Sequence, residues 1–540
     1  MKKTAICLVI FLVLGFVFFN CQTQEKADFV LKNGKVFTVS EKNPEVQAVA
    51  VKQGKIFAVG TNENIEKFIG PSTQTLDVQG KLVLPGFNEA HCHFLYGGQR
   101  LDMLSLGGAD TVEKIQQKIA ERIKELPEGT PVFGVGSFPS TAIFPGLGWP
   151  TKEMLDKVSP NNPVVIGRGG GHAVWLNSMS LKQSEITRNT EAPLGGEVVK
   201  DPQTGEPSGI LKEAAQRLLK VERQSTPKQD IERAVLHTTQ LGITSATTHA
   251  NLESLDIYKE LNKEGKLTLR IYATLPFNGL DEFIEKGIKR GQGDEMVRVG
   301  FLKAFIDGTI GVRTALMFED FSEEPGNKGL AQYEEEEFYE MVAKAHMNDF
   351  PVGVHAIGDK GVNWVLNAVE KAQLKHGKKG LRHRVEHNTV ILMEDTKRFN
   401  ELGVIGSMQP NITGNQAYRE RRLGKERAHR VDMWRTLLDN GAMLCWGTDW
   451  PVSTINPMFN LYQIVTRYPE QRLSMAEAIK YYTFGPAYGS FEEDIKGTLE
   501  KGKLADMVVL SQDLFTIDPE DITKTEVLYT ILGGKIVHQK

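Results

Sequence analysis

The sequence predicts an α/β protein: a closed (β/α)8 TIM barrel, a small β-sandwich formed by both termini, and a large insertion after the first barrel strand. Three observations predict it. Through the middle of the chain, short apolar runs end in Gly, Asp or His and lead into helical patterns, which implies a parallel sheet. Both ends are instead rich in short β-type runs with turn signals. Between Leu101 and about Gln240 the alternation is interrupted.

The barrel is expected over residues 85–496. Val352-Gly353-Val354-His355 leads to a helical pattern from Val362 to Lys371. Ile243 to His249 precedes another from Leu252 to Glu264, and Ala442 to Gly447 precedes Asp449. These repeats occupy more chain than an open sheet needs, so closure is expected, with the chemistry at the carboxyl ends of the strands.

The sandwich is expected from residues 22–84 and 497–540. Phe29-Val30-Leu31 runs into Asn33-Gly34, and Ala48 to Val51 runs into Gln53-Gly54, which are hairpin cues. At the far end, Ala505 to Leu510 and Val527 to Leu532 read as strands, and Gly533-Gly534 joins the second to Lys535-Ile536-Val537. Neither end has enough strands to bury a face alone. The interruption, about 101–240, holds a helix from Thr111 to Leu126 and an apolar run from Val164 to Arg168. It reads either as a cover over the barrel mouth or as an independent packing domain.

A chain of 540 residues suits such a barrel with a smaller companion. A net charge of −4 leaves no basic field for a polyanion, so no nucleic-acid partner is expected. At the N-terminus, Lys2 and Lys3 precede an apolar run from Ala5 to Phe19, then Cys21 and a polar stretch. The run is short for a membrane span and suits a secretory signal over residues 1–21. It resembles a bacterial lipoprotein signal in which Cys21 is lipidated, although Phe18-Phe19-Asn20 is bulkier than such a cleavage box prefers. An uncleaved anchor and a soluble secreted chain are the alternatives. All three place the protein outside the cytoplasm, and the first two on a membrane. Only Cys92 and Cys445 remain in the folded body, so no disulfide framework is expected.

The chemistry gathers at strand ends. Leu82 to His93 is a buried-type strand ending in His91-Cys92-His93. Alternate side chains of a strand share a face, so both imidazoles point into one space and Cys92 points away. His355, His387 and Asp449 each close an apolar run. Taken singly, such residues are more often turn or capping groups. Together they offer the nitrogen and oxygen ligands of zinc and similar cations. Lys303 lies in the apolar run Val299 to Ile306, where an ammonium is costly without a partner. Chemistry alone favours pairing with Asp307 or another carboxylate. The other reading is a neutral amine that takes up carbon dioxide to form a carbamate, an anionic ligand with two oxygens.

As a set, these motifs resemble the amidohydrolase superfamily, and within it the YtcJ-like branch (amidohydrolase family 3), which includes N-substituted formamide deformylases. The matching pieces run from Pro85 through His93, Gly171 to Ser178, Gly209 to Glu213, Lys303 to Gly308, His355 to Asp359, Glu386-His387, Gly447 to Pro451 and Gly497 to Asp506. The resemblance implies a divalent metal, zinc first, as one ion or two. It implies His91 and His93 on one metal with Asp449, His355 and His387 on a second, and carboxylated Lys303 between them. Asp449 would be the catalytic proton carrier. His172, in a glycine-rich turn, would reach the substrate or serve as a structural turn histidine. Asn88-Glu89-Ala90 departs from the Asp-containing stretch common before the paired histidines, which bears on support of the ligands rather than on the ligands themselves.

The expected function is metal-dependent hydrolysis of an amide-type C–N bond in a small molecule, an N-substituted formamide or N-acyl amine. Deamination or cyclic-amide opening on the same site is the second expectation, and a non-catalytic binding lipoprotein the third. A homodimer is expected from relatives.

Overall fold

The computed structural model describes residues 25–136, 149–168, 173–193 and 196–540. The signal segment, Cys21 and His172 lie outside the described residues. Eight strands form the central sheet: β1 (Phe87–Cys92), β2 (Ile243–His249), β3 (Arg270–Pro276), β4 (Val297–Phe305), β5 (Val352–Ala356), β6 (Arg384–His387), β7 (Ile405–Met408) and β8 (Met443–Trp446). They pair in that order, and every pairing is parallel. A parallel bridge from Trp450 to Cys92 brings the chain beyond β8 back to β1, which closes the barrel. Both faces of the strands are covered, one by barrel interior and one by helices, so even polar strands such as Ile243–His249 are almost wholly buried.

The sandwich draws on both chain ends. A four-stranded sheet holds Lys55–Gly60, Ala48–Lys52, Phe29–Lys32 and Gln74–Asp77. A six-stranded sheet holds Lys535–Gln539, Val527–Leu532, Met507–Leu510, Leu82–Pro85, Lys35–Phe37 and Glu45–Val46. Phe29, Val49, Val83, Met507 and Ile531 share one buried cluster between them. Gln53-Gly54 and Gly533-Gly534 each turn a hairpin. Asn33-Gly34 does not. The strands on its two sides belong to different sheets, so this turn is a sandwich corner. Asn33 takes a left-handed φ of 56°, and a side chain on Gly34 would press on Val78 and Val83 at 3.1 Å.

The insertion builds its own six-stranded sheet, from Leu104–Ser105 to Pro207–Glu213, around separate buried clusters. The helix expected there is Val112–Ile123, with Thr111 as N-cap, and the shorter helices Lys152–Asp156 and Ser178–Gln183 accompany it. The helix Pro227–Gln240, which the sequence places in the insertion, packs instead on the helix Phe94–Asp102 and on β2. Gly98 permits that approach: a Cβ there would meet the Asp230 carbonyl oxygen at 1.8 Å. At the base of the barrel the buried Arg270 guanidinium grips Asp506 at 2.7 and 3.0 Å, tying β3 to the C-terminal half of the sandwich.

Candidate metal centre

All six ligands expected from the sequence converge on one cavity of about 460 Å³ at the carboxyl ends of the strands. His91 ends β1 and His93 caps the helix Phe94–Asp102, two positions apart and facing the same space. Cys92 points the other way, its thiol 3.4 Å from the Thr247 carbonyl oxygen.

Hydrogen bonds set which nitrogens are free. The buried Glu386 carboxylate lies 2.6 Å from Nδ1 of His91, so Nδ1 carries the proton and Nε2 keeps its lone pair. His249, at the end of β2, places Nδ1 2.6 Å from the Thr274 hydroxyl, a group that can donate or accept, so either ring nitrogen can carry the proton. The two Nε2 atoms face each other at 3.1 Å. That separation suits an N–H···N hydrogen bond when one Nε2 carries a proton, and a shared cation when neither does. Asp449 Oδ1 stands 3.0 Å from Nε2 of His93 and 3.4 Å from Nε2 of His91. The donor atoms form two overlapping groups: His91 with His93 and His249, and His91 with His387 and Asp449. His355 packs ring to ring on His387 at 4.4 Å, with its Nε2 3.0 Å from the Gly308 carbonyl oxygen. His387 and Asp449 both adopt left-handed backbone, at φ 72° and 56°, conformations that cost energy and gather at functional sites.

The electrostatics suit a cation. Burial lowers the pKa of His249 and His387 well below the usual range and that of His355 to about 4, so all three are neutral at pH 7, the form in which imidazole can bind a metal. Burial alone would raise Asp449, yet His91 and His93 hold it well below the carboxylate range. Glu386, equally buried, is held low by Arg384 and His91. Lys303 is the remaining piece. Its Nζ is buried and has no hydrogen-bond partner, and no carboxylate lies within ion-pair reach among the described residues. Pairing with Asp307, favoured by chemistry alone, does not occur. Asp307 instead accepts backbone N–H groups of Leu316, Ile357 and Gly358 at 2.8–3.0 Å, pinning the long loop after β4. Burial pushes the Lys303 pKa down to about 8, opposed by Glu386 and Asp449. Neutral imidazoles, an ionised Asp449 and an orphaned amine fit a divalent cation with a carboxylated lysine.

The amidohydrolase family model matches residues 74–538. The chain belongs to the amidohydrolase family. It is 30% identical over 531 residues to the putative amidohydrolase YtcJ of Bacillus subtilis, covering 94% of this chain and 98% of that protein. It is 26% identical over 545 residues to the N-substituted formamide deformylase of Arthrobacter pascens, covering 95% and 98%. The crystal structure of an uncharacterised metal-dependent hydrolase from Pyrococcus furiosus superposes with a TM-score of 0.76 at 27% identity, covering 90% of this chain and all of that one. This amidohydrolase is thus a hydrolase of the metal-dependent type.

Two residues outside the expected ligands support the centre. Glu89, the departure noted before the paired histidines, is fully buried. Its Oε1 accepts the backbone N–H of His91 at 3.0 Å and of Thr448 at 2.7 Å, and its Oε2 accepts the Tyr482 hydroxyl at 3.2 Å. It therefore fastens the end of β1 to the turn that carries Asp449. His249 was not among the expected ligands, although it ends its buried strand much as His355 lies at the end of its own. The cavity beyond is walled by Phe305, Ile310, Ile357, Ile412, Tyr418 and Val452, with no charged side chain besides the donor set among the described residues.

Proposed function

We propose that this amidohydrolase cleaves the C–N bond of an N-substituted formamide or N-acyl amine at a zinc centre held by His91, His93, His355, His387, Asp449 and carboxylated Lys303. The observation that carries the reading is Lys303: a buried amine with no partner among the described residues, facing a cavity ringed by neutral imidazoles. Loss of one proton from the ammonium frees the amine, and its attack on carbon dioxide forms the N–C bond, moves one C=O electron pair onto oxygen and releases a second proton, so that an uncompensated cation becomes an anion bearing two ligand oxygens. His249 adds a further nitrogen beside His91.

A divalent cation in this site supplies Lewis acidity, lowering the pKa of water from about 15.7 toward roughly 7 and polarising an amide carbonyl. The protein supplies the rest. Asp449, held ionised, takes the proton from the attacking water and returns it to the departing nitrogen as the C–N bond breaks. Glu386 orients His91 through Nδ1, and Glu89 fixes the backbone under both His91 and Thr448. Apolar walls exclude bulk water and favour an uncharged group at the reacting end. The lysine-led apolar run and Cys21 support export, with lipid attachment to a membrane.

The test is a hydrolysis screen on zinc- and bicarbonate-loaded protein, with formamides, N-acyl amines, cyclic amides and esters. Formamides or N-acyl amines should turn over fastest, and Asp449→Asn should lower kcat by about 10²–10⁴. Full activity in that variant, or turnover of cyclic amides alone, would overturn the assignment.

A further inference from the structure

A second chamber of about 680 Å³ lies between the inserted sheet and the barrel. Val452, three residues beyond Asp449, lines both it and the metal cavity, so the two spaces meet at that side chain. Val452 is 65% exposed and Tyr96 is 53% exposed, large apolar surfaces left bare at the passage.

The chamber has apolar walls, Phe133 and Val174 among them, and the charged side chains of its described lining are arginines, of which Arg223 is paired with Asp102 and Asp230 outside it. Arg100, Arg168 and Arg223 line it, and no described lining residue is acidic. Arg168 stacks over Trp149. Arg223 is paired through Nη2 with Asp102 at 3.1 Å, while its buried Nε and Nη1 have no hydrogen-bond partner. Arg100 is half-buried, and its guanidinium makes no hydrogen bond or ion pair among the described residues. A guanidinium carries five N–H donors in a fork that matches a carboxylate. Two Arg223 donors are buried without a partner, which is costly unless an anion arrives, and the half-buried Arg100 keeps its donors open toward the chamber.

Position supplies the geometry. His93 caps the helix Phe94–Asp102, and Tyr96 and Arg100 follow it at helical spacing on the chamber side. Seven residues at about 1.5 Å each put Arg100 roughly 10 Å along the helix from His93. We propose that this chamber is a subsite for a carboxylate at the far end of the substrate, with Arg100 as its principal partner. The substrate class becomes an amide whose scissile group sits at the metal centre and whose apolar arm ends in a carboxylate about six carbons away. This rests on the amide-hydrolysis reading above.

The test compares kcat/KM for N-formyl-6-aminohexanoate and N-formylhexylamine on zinc- and bicarbonate-loaded wild type and Arg100→Met. Methionine keeps the helix propensity and much of the stem. A charge-assisted pair predicts a preference of about tenfold or more for the carboxylate in wild type, falling toward unity in Arg100→Met. A wild-type ratio near one, or a ratio unchanged by the substitution, overturns the subsite. If neither formamide is hydrolysed, the reaction assigned above fails, and binding decides the subsite separately. Titration with 6-phenylhexanoate and 6-phenylhexanol should then show binding selective for the carboxylate and weakened in Arg100→Met. Equal binding of the two probes overturns the proposal.

Discussion

Glu89 offers the sharpest separation of support from chemistry. It is fully buried and satisfies three donors: the backbone N–H groups of His91 and Thr448 and the Tyr482 hydroxyl. Glu89→Ala strands all three, and each buried orphan costs about 1–3 kcal/mol, so a loss of about 3 kcal/mol or more is expected. The same change frees the backbone beneath His91 and Asp449, and a misplacement of about 1 Å can cost on the order of 10²-fold in kcat. Glu89→Gln keeps an oxygen for both N–H groups, and the tyrosine hydroxyl can accept from the new amide. It should cost less than about 1 kcal/mol and retain most activity. Burial raises the Glu89 pKa to about 7, so the neutral amide is close to the group it replaces. Urea unfolding of both variants measures the stability, and initial rates on the best formamide measure the activity. If Glu89→Gln is as damaging as Glu89→Ala, the carboxylate acts through its charge or its proton, and the positioning role is refuted.

Further outcomes are expected away from that residue. Asp506→Ala should destabilise the protein by about 3–5 kcal/mol in denaturant unfolding, because it leaves the buried Arg270 guanidinium without its bidentate partner. His249→Gln should weaken zinc binding about tenfold or more in a chelator competition; unchanged affinity would remove His249 from the centre. Arg435, with Ser474, holds Glu477 at about 2 rather than 4.5. Its folded-state pKa is lowered, so its contribution is complete above pH 4.5 and fades as pH falls toward 2. Denaturant midpoints should therefore drop faster in wild type than in Glu477→Gln across that window.

The parts legible in the sequence are those set by local period. A strand that alternates and ends in His-x-His carries its own geometry, and so do the runs that close with His355, His387 and Asp449. Two-residue glycine turns predict hairpins where the partner strand is adjacent, as at Gln53-Gly54. At Asn33-Gly34 the turn chemistry is the same, but Phe29–Lys32 finds its partners in Ala48–Lys52 and Gln74–Asp77, a choice made by the sandwich core. Lys303 and Asp307 show the same limit. Four residues suggest a pair, yet Asp307 lies beyond the strand and turns to the loop backbone. His249 closes a strand on the same pattern as the expected ligands. Its role emerges only from contact with His91, 158 residues earlier in the chain. The inserted sheet was visible only as one helix and one strand, because its six strands pair among themselves across long loops.

Carboxylation of Lys303 is the claim on which the centre turns, and carbon-13 NMR of protein loaded with zinc and ¹³C-bicarbonate tests it directly. The account predicts one carbamate carbon per chain, retained with zinc, lost on chelation and absent from Lys303→Met. Zinc-dependent amide hydrolysis by protein that shows no such carbon would contradict it.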